Sequence, residues 1–225
     1  MGSGLKLVLV KVMKKSVLGF ILIPLALFGL QACGPNPLSF LQPSYKAQED
    51  CGFVQNVYGE RISWKGQTPI VLNVHESFPP QFYGALESAM KKWELAVGHP
   101  LFQIGSYGVS GPLLPRQDGS NLIYMMNTWE DNRAQEQART SVYWVGDTIK
   151  EADIRINGKN FSFYWQQPTS GSDVHIESLL VHELGHVFGL KHRDEPGSVM
   201  ATYLSGLTVR DKVAESDIKS MRCEY

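Results

Sequence analysis

Residues 182–192 read HELGHVFGLKH and hold three of the six histidines in the chain. They close a run, Ile176 to Leu190, that reads as one helix, with Leu179, Leu180, Leu184, Val187 and Phe188 apolar. On a helix, His182 and His186 are offset by about 40° and one turn. Both imidazoles therefore point at one metal ion from the same face. Glu183 projects to the side, where it reaches a bound water without ligating. A straight helix would carry His192 past the metal. A sharp turn at Gly189, where positive φ costs little, swings the chain back and makes His192 a third nitrogen ligand. The opposing reading is a buried helix with incidental histidines, and it must put half of all the histidines here by chance.

His-Glu-x-x-His at 182–186 is the zinc motif in which both histidines ligate and the glutamate serves as base. Downstream the chain reads RDEPGSVMATY, with Met200 eight residues after His192. The long motif with its methionine resembles the metzincin metalloproteases, and the spacing to Met200 resembles the matrixin branch. IVLNV (70–74) and the helix ending in KKWELA are similar to that family's first strand and first helix. EADIRIN is similar to an inner strand, and ESDIKSMRCEY to the C-terminal helix. The resemblance spans about residues 51–225 and is closest at 176–203.

This resemblance implies an α+β, metzincin-like catalytic domain: a twisted mixed sheet, a long first helix, an active-site helix and a C-terminal helix. It implies one catalytic Zn²⁺ on His182, His186 and His192, with a fourth position open to water. Glu183 would be the general base and Met200 a hydrophobic floor beneath the zinc. The implied activity is zinc-dependent endopeptidase action on a peptide or protein substrate. That substrate would lie extended along an edge strand. Ser141–Val145 is the candidate edge, and an interior strand is the competing reading. Thr202 to Leu207 would wall the specificity pocket.

The chain also departs from the family. Ala201 and Thr202 follow Met200 where a proline is frequent, which leaves the pocket shape open. Tyr203, three after Met200, does not match the tyrosine ligand of the astacin branch. Only His175 stands where vertebrate matrixins hold a structural zinc, so none of that kind is expected. Ca²⁺ through Asp147, Asp153, Asp173 or backbone carbonyls stays open, without EF-hand spacing behind it. Asp194 has three readings: holding a ligand, holding the turn, or lying on the surface.

Upstream, Ile70 to Val74 reads as a strand and Gln81 to Val97 as an amphipathic helix. Phe82, Leu86, Met90, Trp93 and Val97 form its apolar face. Pro80 suits its start and Gly98-His-Pro100 its end. Leu101–Ile104, Leu122–Met126, Ser141–Val145 and Ala152–Ile156 read as strands, with a loop over 111–121. Glu130 to Arg139 reads as weakly helical and exposed.

Of 225 residues, 43% are hydrophobic and 19% charged, a composition that supports a buried core in one domain. A net charge of −1 gives no electrostatic case for nucleic acid. Lys11, Lys14 and Lys15 precede the apolar run VLGFILIPLALFGL (17–30), the pattern of an export signal. Met13 reads as an alternative start, with residues 1–12 outside the native chain. The run ends in LQACG, which resembles a bacterial lipobox and implies cleavage before Cys33 and lipid on that cysteine. An ordinary signal peptide is the competing reading. Gly34 after the cysteine favours the outer membrane over the inner. The division read is 1–32 signal peptide, 33–50 lipid-anchored tether and 51–225 catalytic domain.

With Cys33 lipidated, Cys51 and Cys223 remain as a pair in an oxidising compartment, and a disulfide between them is expected. The competing role for Cys51 is a zinc-binding latency switch, but Glu49-Asp50 precede it where the family has Pro-Arg. The expected state is a monomer. Two other functions stay in view: a catalytically silent, zinc-containing binding lipoprotein, and a zinc hydrolase acting on a non-peptide bond.

Overall fold

The computed structural model describes residues 47–225. The export segment, Cys33 and most of the segment read as a tether lie outside the described residues. Its last part, Gln48 and Asp50, is bonded to the domain. Gln48 pairs with Gly59 and Arg61, and Asp50 with Lys191.

Five strands form a mixed sheet: β1 (Ile70–His75), β2 (Phe102–Val109), β3 (Asn121–Met126), β4 (Ala138–Val145) and β5 (Thr148–Asn157). Their order is β2-β1-β3-β5-β4, with every pair parallel except β4 against β5. A two-stranded parallel ladder, β6 (Phe163–Tyr164) with β7 (Val174–His175), lies beside it in sequence. Helices α1 (Tyr83–Val97), α2 (Ile176–Val187) and α3 (Glu215–Met221) complete an α+β domain.

A 3-10 turn, Pro80–Phe82, leads into α1, because Pro fits where the first N–H groups have no helical partner. The helix stops at Gly98, whose φ of 93° a side chain would resist. Ala85, Leu86, Ala89, Met90 and Trp93 are buried and pack α1 against α2. The sheet contributes Leu72, Val74, Ile123, Ile149, Ile154 and Ile156 to the same core.

Two segments differ from the sequence reading. Strand β2 runs on to Val109, although most of it is exposed on both faces. Its Gly, Ser and Tyr residues carry no period-two pattern, and bulged parallel pairing with β1 holds it. Between Glu130 and Arg139 there is only one 3-10 turn, Asp131–Arg133, and β4 begins at Ala138. Glu136, Gln137 and Arg139 are buried rather than exposed. Arg139 forks onto the Glu136 carboxylate at 2.6–3.1 Å, and Gln137 donates to the Leu204 carbonyl at 3.0 Å. Polar residues enter a core when they are paired, and that pairing is not visible in a one-dimensional pattern. Ser141–Val145 belongs to β4, the terminal strand of the sheet.

Cys51 and Cys223 are joined by a disulfide, so Cys51 is not a free thiol for a metal. Next to it, Glu224 receives Arg61, Lys65 and Ser63.

Candidate metal centre

Helix α2 is buried along all twelve residues, the polar Glu177, Ser178, His182, Glu183 and His186 among them. His175 is its N-cap. Its Nδ1 accepts from the Ser178 amide at 3.3 Å, and its Nε2 bonds the Trp165 carbonyl at 3.0 Å. Both ring nitrogens are thereby occupied in starting the helix.

The helix ends at Val187, earlier than the run of apolar residues suggested. Gly189, at φ 99°, donates to the His186 carbonyl at 2.9 Å, and Leu190 donates to that of Gly185 at 3.1 Å. This paired 5→2 and 6→1 closure is a Schellman motif. The glycine is required twice over, since a Cβ here would stand 2.2 Å from the Ile62 carbonyl oxygen. The remaining end carbonyls are capped from afar: Trp64 donates to Val187 and Tyr225 to Phe188. After the turn, Arg193 donates to the Met200 carbonyl at 2.9 Å, which fixes His192 beside the methionine segment.

The three histidines converge. Their ligand atoms all lie within 4.8 Å of one another, and the ring centroids are 4.7, 5.2 and 5.0 Å apart. His182 Nδ1 stands 2.7 Å from the Val199 carbonyl, and His186 Nδ1 2.7 Å from that of Leu190. A carbonyl only accepts, so both Nδ1 atoms carry the proton and both Nε2 atoms present lone pairs. Those Nε2 atoms face each other at 3.0 Å. His192 Nε2 is buried without a hydrogen-bond partner. Facing lone pairs repel, and a buried orphan nitrogen costs free energy; a shared cation removes both penalties. Three imidazoles, two of them with the second nitrogen held by a carbonyl, suit zinc. Burial, then the neighbouring His192, lowers the His182 pKa to about 3. Burial likewise pushes His186 well below its ordinary value and lowers His192. All three shifts favour the neutral form, the form that ligates.

Glu183 is fully buried. Its Oε2 accepts from the Thr140 hydroxyl at 2.6 Å, and its Oε1 has no partner. Burial raises its pKa to about 8, opposed by the Thr140 hydrogen bond and reinforced by Glu136. A cation at the three nitrogens would oppose the same push.

Behind the histidines, Asp217 of α3 holds the methionine segment. Its carboxylate accepts from Ser198 Oγ at 2.6 Å and from the amides of Val199 and Ala214, each at 3.0 Å. Val199 in turn accepts from His182, so a buried carboxylate on another helix orients one candidate ligand. Met200 lies against Gly185, where a Cβ would stand 2.2 Å from its sulfur. Arg210 donates to the carbonyls of Ala201 and Tyr203, both at 2.7 Å, and braces the segment after Met200. Asp194 is exposed and takes the amide and hydroxyl of Thr202, so it holds the turn.

The structure thus brings His182, Glu183, His186, Gly189, His192 and Met200 together, and joins Cys51 to Cys223. Thr140, Gly185, Arg210 and Asp217 went unread in the sequence. Only Gly185 left a trace there, because a glycine inside a helix costs about 1 kcal/mol and asks for a packing reason.

Residues 125–225 match the family model described as Matrixin. No curated protein matches the chain. The matched part contains β4 to β7, α2, α3 and every residue of the metal centre; β1, α1 and β2 precede it. Over residues 125–225, less than half of the chain, the sequence is thus similar to the matrixins; the α+β architecture is consistent with such a catalytic domain, and the likeness supports a zinc metallopeptidase type of function.

Proposed function

We propose that this chain is a zinc-dependent endopeptidase of the bacterial cell envelope. The observation that carries the reading is the set of three imidazoles, two buried and one half-buried, converging within 4.8 Å, with a buried carboxylate oxygen of Glu183 left unpartnered. A scaffold that only bound metal would gain nothing from that oxygen, and burying it is costly. This disfavours the alternative of a silent binding lipoprotein.

His182, His186 and His192 would hold the zinc through Nε2. Bound there, zinc polarises a scissile carbonyl and lowers the pKa of a water towards about 7. The Nδ1–H bonds to Val199 and Leu190 keep the first two rings in the ligating tautomer. Glu183 Oε1 takes a proton from the attacking water and delivers it to the leaving amine. Strand β4 would align the substrate by pairing, and Thr202 to Leu207, braced by Arg210, would wall the pocket for one substrate side chain.

The test is metal content and hydrolysis of a mixed peptide library, wild type beside Glu183→Ala, after production in an oxidising compartment. Both proteins should hold about one zinc, and only wild type should cut. Zinc in both with cleavage by neither would replace this reading with the binding one.

Export and anchoring are proposed on the lysines before the apolar run and on LQACG. Several acyl chains on Cys33 would give a stable membrane anchor, and Gly34 favours the outer membrane. Labelled palmitate should enter wild type and not Cys33→Ser. Release of both proteins into the soluble fraction would refute the anchor.

A further inference from the structure

Thr140 is fully buried on β4. Its hydroxyl lies 2.6 Å from Glu183 Oε2 and 3.3 Å from the Glu183 backbone carbonyl. One hydroxyl has one proton, and the nearer oxygen takes it. The two carboxylate oxygens are therefore unequal: Oε2 is held by a neutral donor, while Oε1 is buried and bare. Glutamate has three rotatable bonds, and this contact fixes the last of them. The register of β4 adds a second observation. Asn157 donates to the Gln137 carbonyl at 2.9 Å, which makes Gln137 and Asn157 a bonded pair. Antiparallel pairs alternate, so Thr140, opposite Ile154, turns its own peptide groups away from β5. They face the side of β4 that has no strand partner among the described residues.

We propose that Thr140 is a positioning residue that joins the terminal strand to the base. Its hydroxyl holds Oε2, so that Oε1 alone receives the proton. As the O–H bond of water breaks, its electron pair stays on the water oxygen, which bonds to the carbonyl carbon while the C=O π pair moves onto the carbonyl oxygen; the proton forms Oε1–H. That proton then passes to the leaving nitrogen as the C=O bond re-forms and the C–N bond breaks, which returns Glu183 to the carboxylate. A substrate paired to β4 would be registered on the residue that orients the base. This inference rests on the peptidase reading above.

The experiment compares wild type, Thr140→Val and Thr140→Ser as zinc-loaded full-length proteins on a peptide that wild type cuts. Thr140→Val keeps the branched shape and removes the donor; it should lower kcat by up to about 100-fold, the effect of a misplaced reacting group, with KM and zinc content unchanged. Thr140→Ser restores the donor and should recover most of kcat. A second arm measures urea unfolding of Thr140→Val with and without Glu183→Ala. The cost of losing the hydroxyl should vanish when the carboxylate is gone. The inference is overturned if Thr140→Val keeps its kcat, if it changes KM alone, if Thr140→Ser is as poor as Thr140→Val, or if the two substitutions are additive. A wild type that binds zinc and cuts nothing fails the peptidase reading itself, and this inference falls with it; that outcome is visible in the wild-type arm alone.

Discussion

Replacing Gly189 with alanine puts a methyl group on the residue that turns the chain from α2 back to His192. Two costs add. At φ 99° a Cβ crowds its own carbonyl, which costs about 1–2 kcal/mol. That Cβ would also stand 2.2 Å from the Ile62 carbonyl oxygen. This is backbone: the Ile62 amide donates to the Val54 carbonyl, and the next carbonyl, of Ser63, accepts from the Ile149 amide, so relief needs a chain shift, and overpacking of this kind costs about 1–3 kcal/mol. The expected destabilisation is about 2–5 kcal/mol, a large share of the roughly 5–15 kcal/mol of an ordinary domain. Gly185→Ala is the matched control. Its Cβ meets side chains and no backbone, the Met200 sulfur at 2.2 Å and the Trp93 ring at 3.1 Å, and alanine improves the helix by about 1 kcal/mol. Its stability should stay within about 1 kcal/mol of wild type. Urea unfolding with and without zinc, and zinc affinity by competition, read both effects. Gly189→Ala should lose affinity as well as stability, because His192 shifts with the turn. The reasoning fails if Gly189→Ala unfolds within about 0.5 kcal/mol of wild type and binds zinc equally well.

Three other outcomes follow from the same geometry. Asp217→Asn places an amide donor against the Ser198, Val199 and Ala214 donors; loss of this outer support should weaken zinc binding by about 10–100-fold, measured by competition with a chelator. Replacing Cys51 and Cys223 together by serine opens a loop of 172 residues and should cost up to about 5 kcal/mol on the chain-entropy estimate. Equal urea midpoints for the double variant and wild type would contradict this. Partial burial raises the Glu224 pKa, but Ser63, Arg61 and Lys65 outweigh it and leave it lowered. Its stabilisation is then complete above the unfolded carboxyl value of about 4.3 and lost as pH falls through the lower folded value. Melting temperatures of Glu224→Gln should accordingly fall less steeply than wild type on the acid side of pH 5.

The candidate metal centre was legible because most of it is local. His182, Glu183 and His186 are placed by the helical repeat alone, and Gly189 announces where that repeat must stop. The disulfide partners followed from a cysteine count joined to the lipobox resemblance. The failures lie where polar residues are buried in pairs. Glu136 and Arg139 look like surface until one sees that they satisfy each other, and Gln137 looks free until Leu204, far along the chain, comes to accept from it.

The sequence by itself determined which atoms can meet a metal, since spacing on a helix is a property of neighbours. It also determined the class of sheet and helices that carries them. Only the tertiary structure decided how those atoms are aimed. The His182 ring is oriented by Val199, which is held by Asp217 from α3. The Glu183 carboxylate is oriented by Thr140 from β4. The turn that delivers His192 is closed against Ile62. Each is a contact between residues distant in sequence, and a one-dimensional pattern carries no record of which polar group will satisfy another once both leave water.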